Sequence, residues 1–185
     1  MILMMVLGIH GVMQETYVPI EYEGLEYQSD AGIDGALYPE WLGRDLQELL
    51  GPLQTLSGEH AAVPDRALTL WVIVGDRECS ICLYELPLIA SFCDSLQCSF
   101  LSVRAVALGD RHEARRTMWG IETDMPVFVS AGSNALMHLG AYMTPVRILT
   151  WNGRVVGISD KPINTVIGHR ILSSMLEQWT SQPPQ

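Results

Sequence analysis

A seven-residue apolar run, "LTLWVIV" from Leu68 to Val74, constrains the fold of this chain more than any other feature. A run without alternating polar residues is typical of a strand that is buried on both faces of a parallel sheet. Two further strand-like segments follow, "SFLSVRAVAL" and "MPVFVSA", and helical segments separate the three. Because parallel strands need crossover connections, the sequence predicts an α/β domain with two βαβ units.

A second pattern predicts how this sheet is completed. The segments "VRILTW" and "RVVGIS" flank Asn152 and Gly153, a dipeptide that suits the two positive-φ positions of a type I′ hairpin turn. A final helix over about 164–180 places apolar residues at core-facing intervals. The predicted order is strand, helix, strand, helix, strand, short helix, hairpin and helix. This order gives a central mixed sheet flanked by helices.

The first third of the chain lacks such regularity, so we interpret residues 1–66 as an N-terminal extension and residues 67–185 as the folded domain. Residues 14–38 are acidic and show no sustained periodicity, which predicts an extended lead-in. The leucines of "PEWLGRDLQELLGPLQTL" are near helical spacing and predict a helix that Gly51 and Pro52 end or kink. The segment "SGEHAAVPDRA" that follows is predicted to be a loop.

Residues 1–13, "MILMMVLGIHGVM", allow two interpretations. They are apolar enough for a remnant of an export or anchoring segment, but they lack a positively charged start and a small-residue cleavage site. The alternative is a first buried strand or helix. No run of about 18 or more apolar residues occurs, so any membrane anchoring would rest on this terminus.

The charge balance excludes one class of partner. The chain has 11 Lys and Arg against 21 Asp and Glu, which gives a formal net charge of −10. Such a protein offers no basic field to attract phosphate backbones. We therefore expect no nucleic acid partner.

Two cysteines stand where the apolar strand is predicted to turn into a helix, in "RECSICLYELP". Cys79 falls at the helix start, where free backbone N–H groups and the helix dipole favour an anion such as a thiolate. Cys82 lies one turn further along and is close enough to attack a mixed disulfide formed on Cys79. The pattern predicts that Cys79 is the nucleophile and Cys82 the resolving cysteine.

The other two cysteines do not complete a metal site. Cys93 and Cys98 are separated by four residues, and no suitably spaced histidines accompany them, so a zinc site is disfavoured and we expect neither metal nor cofactor. These two residues could form a local disulfide or be two small core residues. The second interpretation is preferred because small thiols are commonly buried.

Three segments carry a resemblance to a known family. "CSICLYELP" fits a CxxCxxExP pattern, and "MTPVRILTWNGRVVG" fits a Thr-Pro followed by a strand, a turn and a second strand. "PVFVSAGSNALMHLG" matches an insertion of a strand and a short helix. From Leu68 to Trp179 the chain thus resembles the TlpA-like and ResA-like thiol-disulfide oxidoreductases of the thioredoxin superfamily. The resemblance implies a thioredoxin-like fold and activity on protein cysteines.

The same resemblance implies further site residues. Pro145 would be a cis-proline that faces the two cysteines, and Thr144 would offer backbone groups to an extended substrate. Glu85 matches the glutamate of the pattern and stands three residues after Cys82, so we expect it to handle protons for the thiol pair. The implied partners are protein thiol or disulfide substrates and a redox partner protein. An extracytoplasmic location, periplasmic or membrane-anchored, is favoured over a cytoplasmic one.

Departures from the family pattern leave alternatives open. Glu78 stands where the family usually has Trp, and Ser80 and Ile81 separate the cysteines where Pro is common, so the redox potential and the partner are not defined. One alternative is a metallochaperone-like protein that binds copper(I) through Cys79, Cys82 and His138. Another is an interaction module whose cysteine pair is not used.

Overall fold

The computed structural model describes residues 41–63, 68–75, 80–96, 98–119, 121, 123–130 and 145–180. In these ranges the chain forms a six-stranded sheet with helices on both faces. The helices are α1 (Leu46–Leu50), α2 (Ser80–Ser95), α3 (Arg111–Thr117) and α4 (Val166–Thr180). The strands are β1 (Leu53–Thr55), β2 (Leu68–Val74), β3 (Leu101–Leu108), β4 (Val127–Ser130), β5 (Val146–Trp151) and β6 (Arg154–Ser159).

The strand order across the sheet is β1-β4-β3-β2-β5-β6. Strands β2, β3 and β4 are parallel, while β5 is antiparallel to β2 and β6 is antiparallel to β5. This arrangement confirms the predicted α/β class and the mixed sheet flanked by helices. The short helix predicted within "SNALMHLGAY" lies outside the described residues.

Strand β2 lies between β3 and β5 and is buried at all seven positions. Leu68, Leu70 and Val72 pack into a core cluster on the face that α2 and α4 cover. Trp71 and Ile73 pack into a second cluster on the opposite face, which includes α1. Two covered faces explain why the sequence of this strand shows no polar alternation.

The hairpin of β5 and β6 turns at the predicted dipeptide. Asn152 has φ of 51° and Gly153 has φ of 77°, the two positive values that a type I′ turn requires. The predicted hairpin is therefore confirmed. Its register brings Arg147 of β5 opposite Ser159 of β6.

Residues 41–63 add an element that the sequence did not predict. Asp45 caps α1 by accepting a hydrogen bond from the backbone N–H of Gln47 at 2.7 Å, and the helix ends at Gly51. Leu53 continues the helical spacing of the leucines but begins strand β1, which pairs antiparallel with β4. Part of the predicted extension therefore belongs to the sheet, and the division at residue 66 stays a prediction.

The apolar terminus at 1–13 and the acidic segment at 14–38 lie outside the described residues. Within the described ranges, no helix combines the length and the apolar character needed to cross a bilayer.

Helix α4 packs closely against the segment that precedes it. A Cβ atom added at Gly168, in the first turn of α4, would stand 1.9 Å from the carbonyl oxygen of Pro162. Glycine is needed here because of this close backbone approach, although glycine is otherwise a poor helix former. The backbone of Lys161 and Pro162 thus lies against α4, and the next residue, Ile163, contacts the candidate site through Glu85.

We predict that Gly168→Ala lowers the free energy of unfolding by about 1–3 kcal/mol, because the added methyl group overpacks this contact. Helix propensity alone predicts the opposite, a gain of about 1 kcal/mol. Ser174→Ala, at an exposed position of the same helix, is the matched control and should cause no loss. Urea unfolding followed by far-UV circular dichroism measures both. Equal stability of the two variants would contradict the assigned contact.

Candidate functional site

The two-cysteine motif spans the junction between β2 and α2. Strand β2 ends at Val74 and α2 begins at Ser80, directly after Cys79. The helix start therefore falls where the sequence predicted it. Cys79 lies outside the described residues; Cys82 belongs to the first turn of α2, and the structure does not describe its side chain.

The register of the sheet brings Pro145 to the same end. Ile73, the penultimate residue of β2, pairs with Val146, the first residue of β5. Pro145 directly precedes Val146 and is buried. Pro145 thus lies at the carboxyl end of β2, where the chain leaves the sheet toward the cysteines. Open α/β sheets commonly bind their ligands beyond the carboxyl ends of the strands.

Glu85 lies one turn after Cys82 and is buried more deeply than the sequence indicated, with 1% of its surface exposed. Its Oε2 accepts a hydrogen bond from Nη2 of Arg147 at 2.6 Å, which is also a buried ion pair. Its Oε1 accepts one from the backbone N–H of Ile163, also at 2.6 Å. Each oxygen of the carboxylate therefore has its own donor.

Arg147 is the functional residue that sequence reasoning missed. It comes from β5, two residues after Pro145, and its side chain is fully buried. A second contact runs from its Nη1 to the carbonyl oxygen of Lys161, while its Nε has no hydrogen-bond partner among the described residues. The signal in the sequence was a single arginine near the start of the apolar strand "VRILTW".

Burial and neighbouring charge shift the pKa of each member of this pair in opposite directions. Loss of water raises the pKa of the Glu85 carboxyl above its usual value, and the Arg147 guanidinium and the Ile163 N–H oppose that rise. Loss of water likewise lowers the pKa of Arg147, and Glu85 and Asp160 oppose that fall. A carboxyl group with a raised pKa is better matched to proton exchange near neutral pH.

The pair connects the elements that carry the candidate residues. Glu85 belongs to the helix of the cysteines, Arg147 to the strand that follows Pro145, and Ile163 to the segment that leads into α4. A carboxyl group three residues from Cys82 on a helix lies on a neighbouring surface, at a typical Cβ separation of about 5–6 Å. The arrangement could pass a proton between this carboxyl and a thiol at Cys82.

Comparison with known proteins yields neither a matching family model nor a matching curated protein. Solved structures do match. An uncharacterized thioredoxin-like protein from Porphyromonas gingivalis is 12% identical over 76% of this chain and 96% of its own, with a TM-score of 0.59. A putative thiol:disulfide interchange protein DsbE from Chlorobium tepidum is 15% identical over 72% and 97%, with a TM-score of 0.54.

A third match is the thioredoxin domain of a thiol-disulfide oxidoreductase from Bacteroides vulgatus, 12% identical over 72% of this chain and 97% of its own, with a TM-score of 0.53. The protein has a thioredoxin-like fold. At these identities the likeness concerns the fold, and it confirms the fold that the sequence resemblance implied. The names of two of these proteins refer to thiol-disulfide chemistry.

Besides Cys79, two further residues named from the sequence lie outside the described ranges. Thr144, the predicted substrate-binding neighbour of Pro145, lies outside the described residues, and so does His138 of the copper-binding alternative. Their roles remain predictions.

The far end of α2 holds a different pair of thiols. Cys93 is buried and Cys98 half-buried, both are free, and they line a cleft of about 260 Å³. Burial raises the pKa of Cys93 to about 12, and the nearby Asp94 and Cys98 add to the rise. The thiol of Cys93 therefore stays protonated at neutral pH and is a poor nucleophile.

We predict that Glu85→Gln lowers the free energy of unfolding by about 3–5 kcal/mol, because the Arg147 guanidinium is left as a buried charge without its carboxylate. Replacement of both partners by apolar residues, E85L with R147M, should recover most of this loss. Urea unfolding at pH 7 measures both variants. Asp94→Asn, an exposed position on the same helix, is the control for loss of one carboxylate. A double variant as unstable as E85Q would refute this account of the pair.

Proposed function

We propose that the protein is a thiol-disulfide oxidoreductase that exchanges a dithiol/disulfide pair, Cys79 and Cys82, with cysteines of substrate proteins. The observation that carries the proposal is the junction of β2 and α2: the helix of the motif begins directly after Cys79, and Pro145 stands at the same end of the sheet. The thioredoxin-like fold and the thiol-disulfide names of similar structures support it.

In the reducing direction the chemistry takes two steps. The thiolate of Cys79 attacks a substrate disulfide, so that a bond from Cys79 to one substrate sulfur forms and the other sulfur leaves as a thiolate. Cys82 then loses its proton to Glu85 and attacks the sulfur of Cys79. The intramolecular disulfide forms, the second substrate thiolate leaves, and two electrons have passed to the substrate. A redox partner protein would return these electrons.

The direction of electron flow depends on the reduction potential of the pair. A value near that of thioredoxin, about −270 mV, would make the protein a reductant, and a value near about −120 mV would make it an oxidant. Glu78, Ser80 and Ile81 differ from the common residues of the family pattern, so this potential has to be measured. Equilibration with glutathione buffers of known composition gives it directly.

The proposed setting is extracytoplasmic, with substrate proteins that carry exposed disulfides or thiols. The proposal rests on the apolar segment at 1–13 and on the sequence resemblance. Residues 1–40 fused to a reporter enzyme that is active only after export would test it. An inactive but well-expressed fusion would show that residues 1–40 do not direct export by themselves.

We predict that the protein reduces a disulfide-bonded protein when dithiothreitol supplies electrons, and that Cys79→Ser abolishes this turnover. Cys98→Ser is the matched control and should retain the wild-type rate, because the proposed exchange does not use Cys98. Loss of turnover in C98S together with activity in C79S would refute the assignment. A wild type without turnover would favour the copper-binding or the non-catalytic interpretation.

Alkylation of the same samples distinguishes the four thiols by their reactivity. At about pH 6, label should enter at Cys79 first, since a helix start favours the thiolate. Cys93 should be modified last, because burial raises its pKa to about 12. Preferential labelling of Cys82 would reverse the assigned roles of nucleophile and resolving cysteine.

We also predict that Pro145→Ala slows disulfide exchange far more than it lowers stability. Alanine restores a backbone N–H at the carboxyl end of β2 and removes a buried ring from it, and a displacement of about 1 Å in a site can cost about a hundredfold in rate. Exchange kinetics and thermal unfolding are compared in the same variant. Unchanged kinetics would remove Pro145 from the site.

A further inference from the structure

The outer surface of α2 lacks the charged residues that a surface helix typically carries there. Between Ser80 and Cys93 the only acidic or basic residue is Glu85, and it is buried. Tyr84 is 76% exposed and Leu88 is 38% exposed. The two residues are four positions apart on one helix, so their side chains are neighbours, at a typical Cβ separation of about 5–6 Å. This part of α2 therefore presents apolar side chains to solvent.

Two contacts align α2 with the start of α4 along this surface. The carboxylate of Glu85 accepts a hydrogen bond from the N–H of Ile163 at 2.6 Å. About two turns further along α2, the ring of Phe92 packs against the ring of His169, with centroids 4.9 Å apart. Both helices also pack on the same face of the sheet. Residues between these contacts on the two segments therefore lie side by side.

The first turn of α4 extends the apolar surface of α2. Leu88 lies between the two contacts on α2, and Val166, which is 53% exposed, lies between them on α4. With Tyr84 they form a group that we call the apolar strip: Tyr84, Leu88 and Val166. Single exposed apolar residues are common, whereas a contiguous group marks an interaction surface. The strip begins close to the cysteine motif, because Tyr84 is two residues after Cys82, about 3 Å along the helix axis.

We propose that the apolar strip is a docking surface for the protein that exchanges a disulfide with the cysteine motif, and that this partner carries uncharged, apolar side chains beside its own cysteine. The inference rests on the proposed function and extends it to the class of partner. Tyrosine is enriched at protein interfaces, and charged residues are depleted at interface cores. The composition of the strip agrees with both tendencies.

The size of the strip favours a transient partner over a permanent one. A large aromatic side chain buries only about 150–250 Å², so three partly exposed side chains stay below about 800 Å² per partner, the size of a standard stable interface. Weak redox encounters are among the smallest interfaces. A partner that leaves after each exchange suits a surface of this size, and a permanently bound second copy of this chain does not.

The position of the strip predicts which partners it favours. Leu88 is six residues after Cys82, about 9 Å along the helix axis. The strip therefore contacts side chains within about 10 Å of the partner's cysteine, and the bond changes at the motif are those proposed above. Charged side chains at these positions of a partner would lose water against the strip without gaining an opposite charge from it.

The test compares two short peptides that each carry one cysteine as a mixed disulfide with a coloured aromatic thiol. In one peptide leucines flank the cysteine, and in the other serines do. The thiolate of Cys79 attacks the peptide sulfur, and the coloured thiolate leaves. We expect the reduced full chain to react about tenfold faster with the leucine peptide, because burial of one apolar side chain is enough for a gain of this size.

In the double variant Y84S with L88S, the ratio of the two rates should fall to nearly one. Leu42→Ser is the matched control and should keep the wild-type ratio. Leu42 is 42% exposed and follows Trp41, which packs into the cluster on the opposite face of the sheet. Equal rates in the wild type, an unchanged ratio in the double variant or an equal fall in L42S would overturn the proposal.

A binding measurement separates this inference from the proposed function. The leucine peptide with serine in place of its cysteine cannot exchange, but it should still shift the backbone amide resonances of Tyr84, Leu88 and Val166. Absence of these shifts contradicts the docking surface even where exchange occurs. If the wild type exchanges with neither peptide, the proposed function fails, and the amide shifts decide on the surface alone. A dimer in sedimentation that the double variant dissociates would assign the strip to a second copy instead.

Discussion

The buried contact between Glu85 and Arg147 is the interaction on which the geometry of the candidate site depends. Cys82 of the cysteine motif belongs to the first turn of α2, and Pro87 lies inside this helix. Because proline has no N–H, the carbonyl of Leu83 lacks its usual helical donor, and the first turn is less firmly held to the rest of the helix. Glu85 lies between the two, and its ion pair ties this part of α2 to β5 from the side.

The apolar core alone would not fix this arrangement. Leu86 and Ile89 of α2 pack into the cluster beneath the helix. Apolar contacts are non-directional and tolerate small rotations of a helix. A carboxylate with one donor on each oxygen is directional, and its donors come from β5 and from the segment before α4. The apolar core therefore holds α2 against the sheet, and the ionic contact fixes its rotation.

The sequence predicted those parts of the fold that local patterns encode. The uniform burial of β2, the turn at Asn152 and Gly153 and the last helix each follow from residues close together in the chain. Strand β1 was not predicted because Leu53 continues the leucine spacing of the preceding helix, and Leu53–Thr55 form a strand only by pairing with β4. The division at residue 66 stays a prediction.

Local sequence patterns likewise predicted only part of the candidate site. The cysteine spacing and Glu85 were visible because they lie on one short segment, whereas Arg147 is 62 residues away from Glu85. In β5, Arg147 stands between the apolar residues Val146 and Ile148. An alternating strand pattern alone therefore predicts that the Arg147 side chain faces solvent. Only the tertiary structure shows that α2 covers that face and supplies a carboxylate.

Stability alone gives little reason for burying this ion pair. Burying two charges costs free energy that their attraction only roughly offsets, and well-packed apolar residues of similar volume commonly do as well or better for stability. What apolar residues cannot supply is an ionisable group one turn from a cysteine. The Glu85 carboxyl group is shielded from water and still has a hydrogen-bond donor for each oxygen. In such surroundings the proton affinity of a carboxyl group responds strongly to nearby charge.

Helix α2 extends this argument to the thiols themselves. Cys93 lies near the carboxyl end of the helix, beside Asp94 and away from water, and these surroundings raise its pKa to about 12. Cys79 directly precedes the same helix at its amino end, where the helix dipole stabilises negative charge instead. The two ends of one helix therefore offer a thiol opposite electrostatic conditions. We expect the proposed redox chemistry at the amino end, because there the helix dipole favours a thiolate and Glu85 offers a proton acceptor.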